Sequence, residues 1–154
     1  MKTLLQKNGI SAPAFTLIEM MVVMAIIAVL AGLTVGGMGY YKQKMANGQT
    51  EVLIASIERA LEDYKTDNGS YPAGADTTVV FNALYGDGSN VYLDTLNPNL
   101  TGKALNVVGG QIIDGWGNNL GYTSPGTNNP ANDYDLWSVG ADGNYPTSDD
   151  IKNW

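Results

Sequence analysis

The chain has 154 residues, no cysteine, no histidine and a formal net charge of −7. Composition alone therefore excludes disulfides, thiolate zinc sites and Ser-His-Asp or Cys-His catalysis, and an acidic chain is a poor nucleic-acid binder because phosphate contacts need a positive field. If a small domain needs support beyond its core, the remaining candidate is a hard cation held by oxygen ligands.

Residues 20–41 carry no charged side chain, and roughly 20 apolar residues are enough for a membrane-spanning helix. Lys2 and Lys7 precede the run, as the positive-inside rule asks of a cytoplasmic N-terminus. A cleavable secretory signal would have a shorter apolar core, about 7–15 residues, ending at a small-residue site. Here the apolar run leads straight into further helical sequence. An ordinary membrane anchor would leave Glu19 without a purpose, since a carboxylate at the edge of hydrocarbon has a partner or a function.

The segment Ala14-Phe15-Thr16-Leu17-Ile18-Glu19, followed by an uninterrupted apolar run, resembles the class III signal of type IV pilins and type II secretion pseudopilins. The resemblance implies cutting by a prepilin peptidase between Ala14 and Phe15, N-methylation of Phe15 and a role for Glu19 in subunit assembly. Among bundled apolar helices a buried carboxylate needs a cation or donor, and the α-amino group of a neighbouring Phe15 is the candidate. The family usually has Gly where this chain has Ala14.

Leu53, Ile57, Ala60, Leu61 and Tyr64 recur at helical spacing between charged residues, which predicts an amphipathic helix. Asp67-Asn68-Gly69 and then Pro72 should end it. One long helix is thus expected from about Thr16 to about Asp67, interrupted by Gly32, Gly36, Gly37 and Gly39 at a weak point. Residues 79–85 read as either a short helix or a strand, 86–90 as a turn-rich loop, and the stretch 73–110 resembles nothing.

Further on, Gln111–Ile113, Leu120–Thr123 and Tyr134–Val139 are short alternating runs between glycines, which predicts a small antiparallel sheet. Asp142, Asp149 and Asp150 put three carboxylates at the two ends of one turn-forming segment, a candidate calcium loop. It is not an EF-hand: counting from Asp142, Thr147 and Asn153 stand where Gly and Glu would be required. Adjacent carboxylates suit cation ligands better than an acid and base facing a substrate, so no enzyme is expected.

Asp114-Gly115-Trp116-Gly117 resembles the Asp-Pro-Trp-Gly motif of the major pseudopilins of type II secretion, with Gly115 in place of Pro. Residues 134–143 and 149–154 resemble that family's C-terminal signature. The resemblance adds the backbone carbonyls of Val139 and Asn144 to the calcium ligands. It implies an α+β, pilin-like fold, a long N-terminal helix packed on a small antiparallel sheet. The expected organisation is a cleaved leader 1–14, a transmembrane and filament-core helix 15–41, and a periplasmic domain 42–154. Within that domain the helix runs to about 67, the variable region covers 73–110, and the sheet and calcium loop occupy 111–154. The implied function is that of a structural subunit of a type II secretion pseudopilus, tethered to the bacterial inner membrane. Its implied partners are its own copies, minor pseudopilins and the assembly platform. The alternative is a surface type IV pilus, whose subunits commonly carry a disulfide that this chain cannot form.

Overall fold

The computed structural model describes residues 15–86, 90–97, 107–129 and 133–154. Ala14 and the rest of the leader, residues 87–89 of the turn-rich loop with Asp87, and residues 98–106 and 130–132 lie outside them. The chain divides into two compact units, Met1–Gly39 and Tyr40–Trp154.

A single helix, α1, runs Leu17–Asn68, within a residue of the expected bounds, and it is helical through its glycines. Its first part has an 18-residue window of mean hydropathy 2.5 with none of that window buried. By length and composition this helix can cross a membrane.

The second part of α1 behaves as its pattern predicts. Leu53, Ile54, Ile57, Ala60 and Leu61 are buried, and Tyr64 packs half-buried beside them. Each large side chain removed from water contributes about 1.5–3 kcal/mol. The helix closes where Gly69 N–H donates to Lys65 O at 2.7 Å and Asn68 Nδ2 donates to Tyr64 O at 2.9 Å, satisfying carbonyls that the last turn leaves open.

The ambiguous apolar stretch is a helix, α2, Thr77–Leu84. Asp76 decides the matter by capping it, accepting from Thr78 N–H at 2.7 Å. Its Val80 and Leu84 join the α1 core. A single 3-10 turn, Asp94–Leu96, adds Leu96.

Among the described residues the expected sheet is two sheets. Strands β1 (Val107–Val108) and β2 (Gln111–Ile112) form an antiparallel hairpin. Strands β3 (Gly121–Thr123), β4 (Asp135–Ser138) and β5 (Ile151–Lys152) form an antiparallel three-stranded sheet with β4 in the centre. Ile112, Leu120, Tyr122, Tyr134 and Leu136 are buried in one cluster with the α1 and α2 residues. The chain is thus α+β, a helix over small antiparallel sheets. Strand β5 was unexpected: part of the acidic C-terminal signature pairs with Trp137 and Ser138.

Candidate functional site

At the start of α1, Thr16 and Glu19 satisfy each other. Glu19 Oε2 accepts from Thr16 N–H at 2.8 Å and from its hydroxyl at 2.7 Å, while Glu19 N–H donates to Thr16 Oγ1 at 3.3 Å. This is a capping box, legible as Thr followed three residues later by Glu just before an apolar run. Sequence reasoning assigned Glu19 only a partner in another subunit and missed the local one. Phe15 precedes the box and is exposed.

In the Tyr40–Trp154 unit, the turn around Asp114 is built onto the helix. Gly115 N–H donates to Thr50 Oγ1 at 2.9 Å, and that buried hydroxyl donates to Ala46 O at 2.8 Å. The approach is so close that a Cβ on Gly115 would strike the Ala46 carbonyl oxygen and lie 2.8 Å from its Cα. Glycine in place of the motif's proline therefore does two things: it lets the backbones touch, and it supplies an N–H that proline lacks. Asp114 Oδ1 accepts from Trp116 and Asn118 N–H at 3.0 and 2.8 Å, and Oδ2 accepts from the Ser138 hydroxyl at 2.6 Å. The turn presents Trp116, whose Nε1 is buried without a partner.

The same network reaches the C-terminal loop. Gly140 N–H donates to Ser138 Oγ at 3.1 Å, and Asn118 Nδ2 donates to Gly140 O at 2.8 Å. Gly140 has φ +66 and the Asp149 carboxyl carbon only 2.8 Å from where a Cβ would stand, so both the conformation and the space require glycine. Val139 lies between these anchors.

Inside the loop the candidate ligands are only partly gathered. Thr147 Oγ1 lies 2.7 Å from Asp149 Oδ1, 3.1 Å from Asp150 Oδ1 and 3.3 Å from Asn144 O. A hydroxyl has one proton to give, so three acceptor oxygens converge on one donor. Asp142 is turned aside, its Oδ1 accepting from Asn144 N–H at 2.8 Å. Among the described residues no three carboxylates are close enough to hold a metal. Asp149 Oδ2 accepts from Ala141 N–H at 2.8 Å and Asp142 N–H at 3.2 Å. The Thr147 hydroxyl, with those amides adding and desolvation opposing, holds the Asp149 carboxyl below the usual carboxylate range. Asp150 pairs with Lys152 at 3.3 Å. Thr147 was missed as a loop centre, and nothing in its sequence context marks it.

Asp135 was missed too. Fully buried on β4, it accepts from the N–H groups of Thr127, Asn128 and Asn129, the last at 2.7 Å, and from Asn128 Nδ2 at 2.9 Å. Burial pushes its carboxyl up, but the summed bonds outweigh burial and hold it below its ordinary range.

Comparison with known proteins matches the two parts of the chain separately. A family model described as Type II secretion system (T2SS), protein G covers residues 38–154, and one described as Prokaryotic N-terminal methylation motif covers residues 13–35. The type II secretion system core protein G of Escherichia coli (strain K12) is 36% identical over 147 residues, with 91% of this chain and 89% of that protein covered. The protein of that name from Pseudomonas aeruginosa is 38% identical over 154 residues, covering 91% and 93%. A crystal structure of the major pseudopilin from the type 2 secretion system of enterohaemorrhagic Escherichia coli aligns at 24% identity and TM-score 0.45, covering 77% of this chain and 94% of that one.

Proposed function

The chain belongs to the type II secretion system protein G family and is a structural subunit of a pseudopilus; from that premise we propose how it is made, placed and held together. The observation that carries the reading is order: the methylation motif at 13–35 is followed directly by the protein G match at 38–154. A prepilin peptidase cuts between Ala14 and Phe15 and leaves the apolar helix attached, Phe15 then being N-methylated. The helix holds the subunit in the inner membrane with the Tyr40–Trp154 unit in the periplasm. Copies leave the membrane to join a filament with minor pseudopilins at an assembly platform. There Glu19, already bonded to Thr16, accepts the amino group of a neighbouring Phe15, because an unpaired carboxylate among apolar helices is costly.

The C-terminal loop is proposed to take Ca2+. The fit rests on the oxygens of Asp149, Asp150 and Asn144 that converge near the Thr147 hydroxyl, an acceptor-rich point suited to a hard cation. Asp142 and the Val139 carbonyl would complete the set after Asp142 turns inward. When bound, the ion neutralises the loop's carboxylates and ties its two ends together, while Gly140 and the Asp114 network hold the loop against β4.

Mass spectrometry of the membrane fraction tests the processing. The expected product begins at N-methyl-Phe15, and an intact Met1 terminus, or a cut beyond the apolar run, refutes the reading.

A further inference from the structure

The apolar run at the start of α1 ends at a definite point. Residues 20–41 carry no charge, the run closes on Tyr40 and Tyr41, both exposed, and Lys42 and Lys44 follow. Tyrosines and then lysines are what the boundary between hydrocarbon and headgroups selects. From that boundary one side of α1 presents Tyr40, Lys44 and Glu51 to a cavity of about 900 Å3. The C-terminal loop supplies the opposite wall with Asp149, Lys152 and Trp154. The volume is within the range of small-molecule sites.

Distance from the boundary decides what can enter. A helix rises about 1.5 Å per residue, so Lys44 stands about 5 Å along the axis beyond Tyr41, and Glu51 about 15 Å. The headgroup layer outside the hydrocarbon is about 5–8 Å deep on each side of a bilayer. The Lys44 end of the cavity therefore lies at the level of lipid phosphates, and the Glu51 end opens into the water above them.

Charge decides which lipid. In the loop wall the charges are already engaged. Lys152 Nζ is 3.3 Å from Asp150 and stands near the rings of Tyr145 and Trp154. Asp149 accepts from the Thr147 hydroxyl and two loop amides. In the helix wall, Lys44 has no ion pair among the described residues, and Glu51 accepts from its neighbour Asn47 at 2.7 Å. Lys44 and Glu51 are about two turns apart on one side of the helix, with the cation nearer the membrane. A zwitterionic phospholipid offers the complementary order, its phosphate next to the glycerol and its ammonium outermost. A primary ammonium also donates charge-assisted hydrogen bonds to a carboxylate, which a quaternary one cannot. An anionic headgroup with no amine would meet Lys44 but set nothing against Glu51.

We propose that this cavity seats the headgroup of phosphatidylethanolamine, Lys44 meeting the phosphate and Glu51 the ammonium. The inference rests on the membrane-anchored reading and adds to it a lipid contact made by the soluble unit. A headgroup held there ties the Tyr40–Trp154 unit to the membrane surface, and a subunit that leaves the membrane must release it.

Native mass spectrometry tests this on the full chain, extracted in detergent and titrated with phosphatidylethanolamine or phosphatidylglycerol. The unsubstituted chain should hold one phosphatidylethanolamine about tenfold more tightly than phosphatidylglycerol. Lys44→Glu combined with Glu51→Lys keeps the net charge and the apolar run but reverses the order of the two charges. That variant should insert and melt like the unsubstituted chain and lose the preference. Lys42→Glu, outside the cavity wall, should retain it. Equal retention of both lipids by the unsubstituted chain, meaning annular lipid only, overturns the proposal, as does a preference that survives the reversal. If alkaline carbonate strips the unsubstituted chain from membranes, the anchored reading fails and takes this site with it. If the chain stays in the membrane and shows no preference, only the site fails.

Discussion

Gly115→Pro would restore the residue of the motif that this turn resembles, and the geometry predicts that it harms this chain. Two effects add. The proline has no N–H, so the 2.9 Å bond to Thr50 Oγ1 is lost, a net loss of about 0.5–1.5 kcal/mol. Its Cβ meets the Ala46 backbone, whose carbonyl carbon would be 2.9 Å away. Backbone in a helix cannot swing aside, so overpacking of about 1–3 kcal/mol applies. The sum is about 1.5–4.5 kcal/mol, or a fall in melting temperature of roughly 6–18 °C for a unit of this size. Gly115→Ala keeps the N–H and should lose only the steric part, about 4–12 °C. Thermal unfolding of residues 40–154, followed by circular dichroism, measures both. A Thr50→Val background separates the terms, because there the extra loss on going from Ala to Pro should vanish. A proline variant that melts at or above the unsubstituted unit would refute the close approach of the turn to Ala46.

Asp135 should make the unit acid-sensitive. Its folded carboxyl lies below the ordinary range, so its contribution is present above about pH 4 and is lost as pH falls through the folded value; Asp135→Asn should be less stable at pH 7 and show a shallower acid limb, and an unchanged limb would count against the buried-carboxylate account. For Glu19, substitution by Gln keeps an acceptor for the Thr16 cap but removes the charge. Both Glu19→Gln and Glu19→Ala should insert and be processed but form few filaments, and full assembly of the Gln variant would reduce Glu19 to a helix cap. Calcium at 100 times its dissociation constant should raise the melting temperature by about 10 °C relative to chelator. That rise should disappear in Asp149→Ala, and no difference between calcium and chelator would remove the ion from the loop.

Local chemistry made much of this protein legible in its sequence. The 3.6-residue spacing of Leu53, Ile57 and Leu61 marks a helix face whatever it packs on, and Asn68-Gly69 end that helix through bonds to their own last turn. The apolar run, the Phe15 to Glu19 signal and the acidic loop are likewise contiguous, so a linear reading finds them. Even the Thr16–Glu19 cap was present as a spacing. The tertiary structure decided what depends on partners distant in sequence. Residues 79–84 became helical because of a cap at Asp76 and a place for Val80 and Leu84 in the α1 core. Asp135 looks like any strand aspartate until the loop from Thr127 to Asn129 turns its amides onto it. Gly115 acquires its role only when Thr50, 65 residues earlier, presents a buried hydroxyl. Lys44 and Glu51 line a cavity only once the C-terminal loop stands opposite that side of α1. A contact between distant residues leaves no fixed period in the sequence, because its energy depends on where the whole chain has placed both ends.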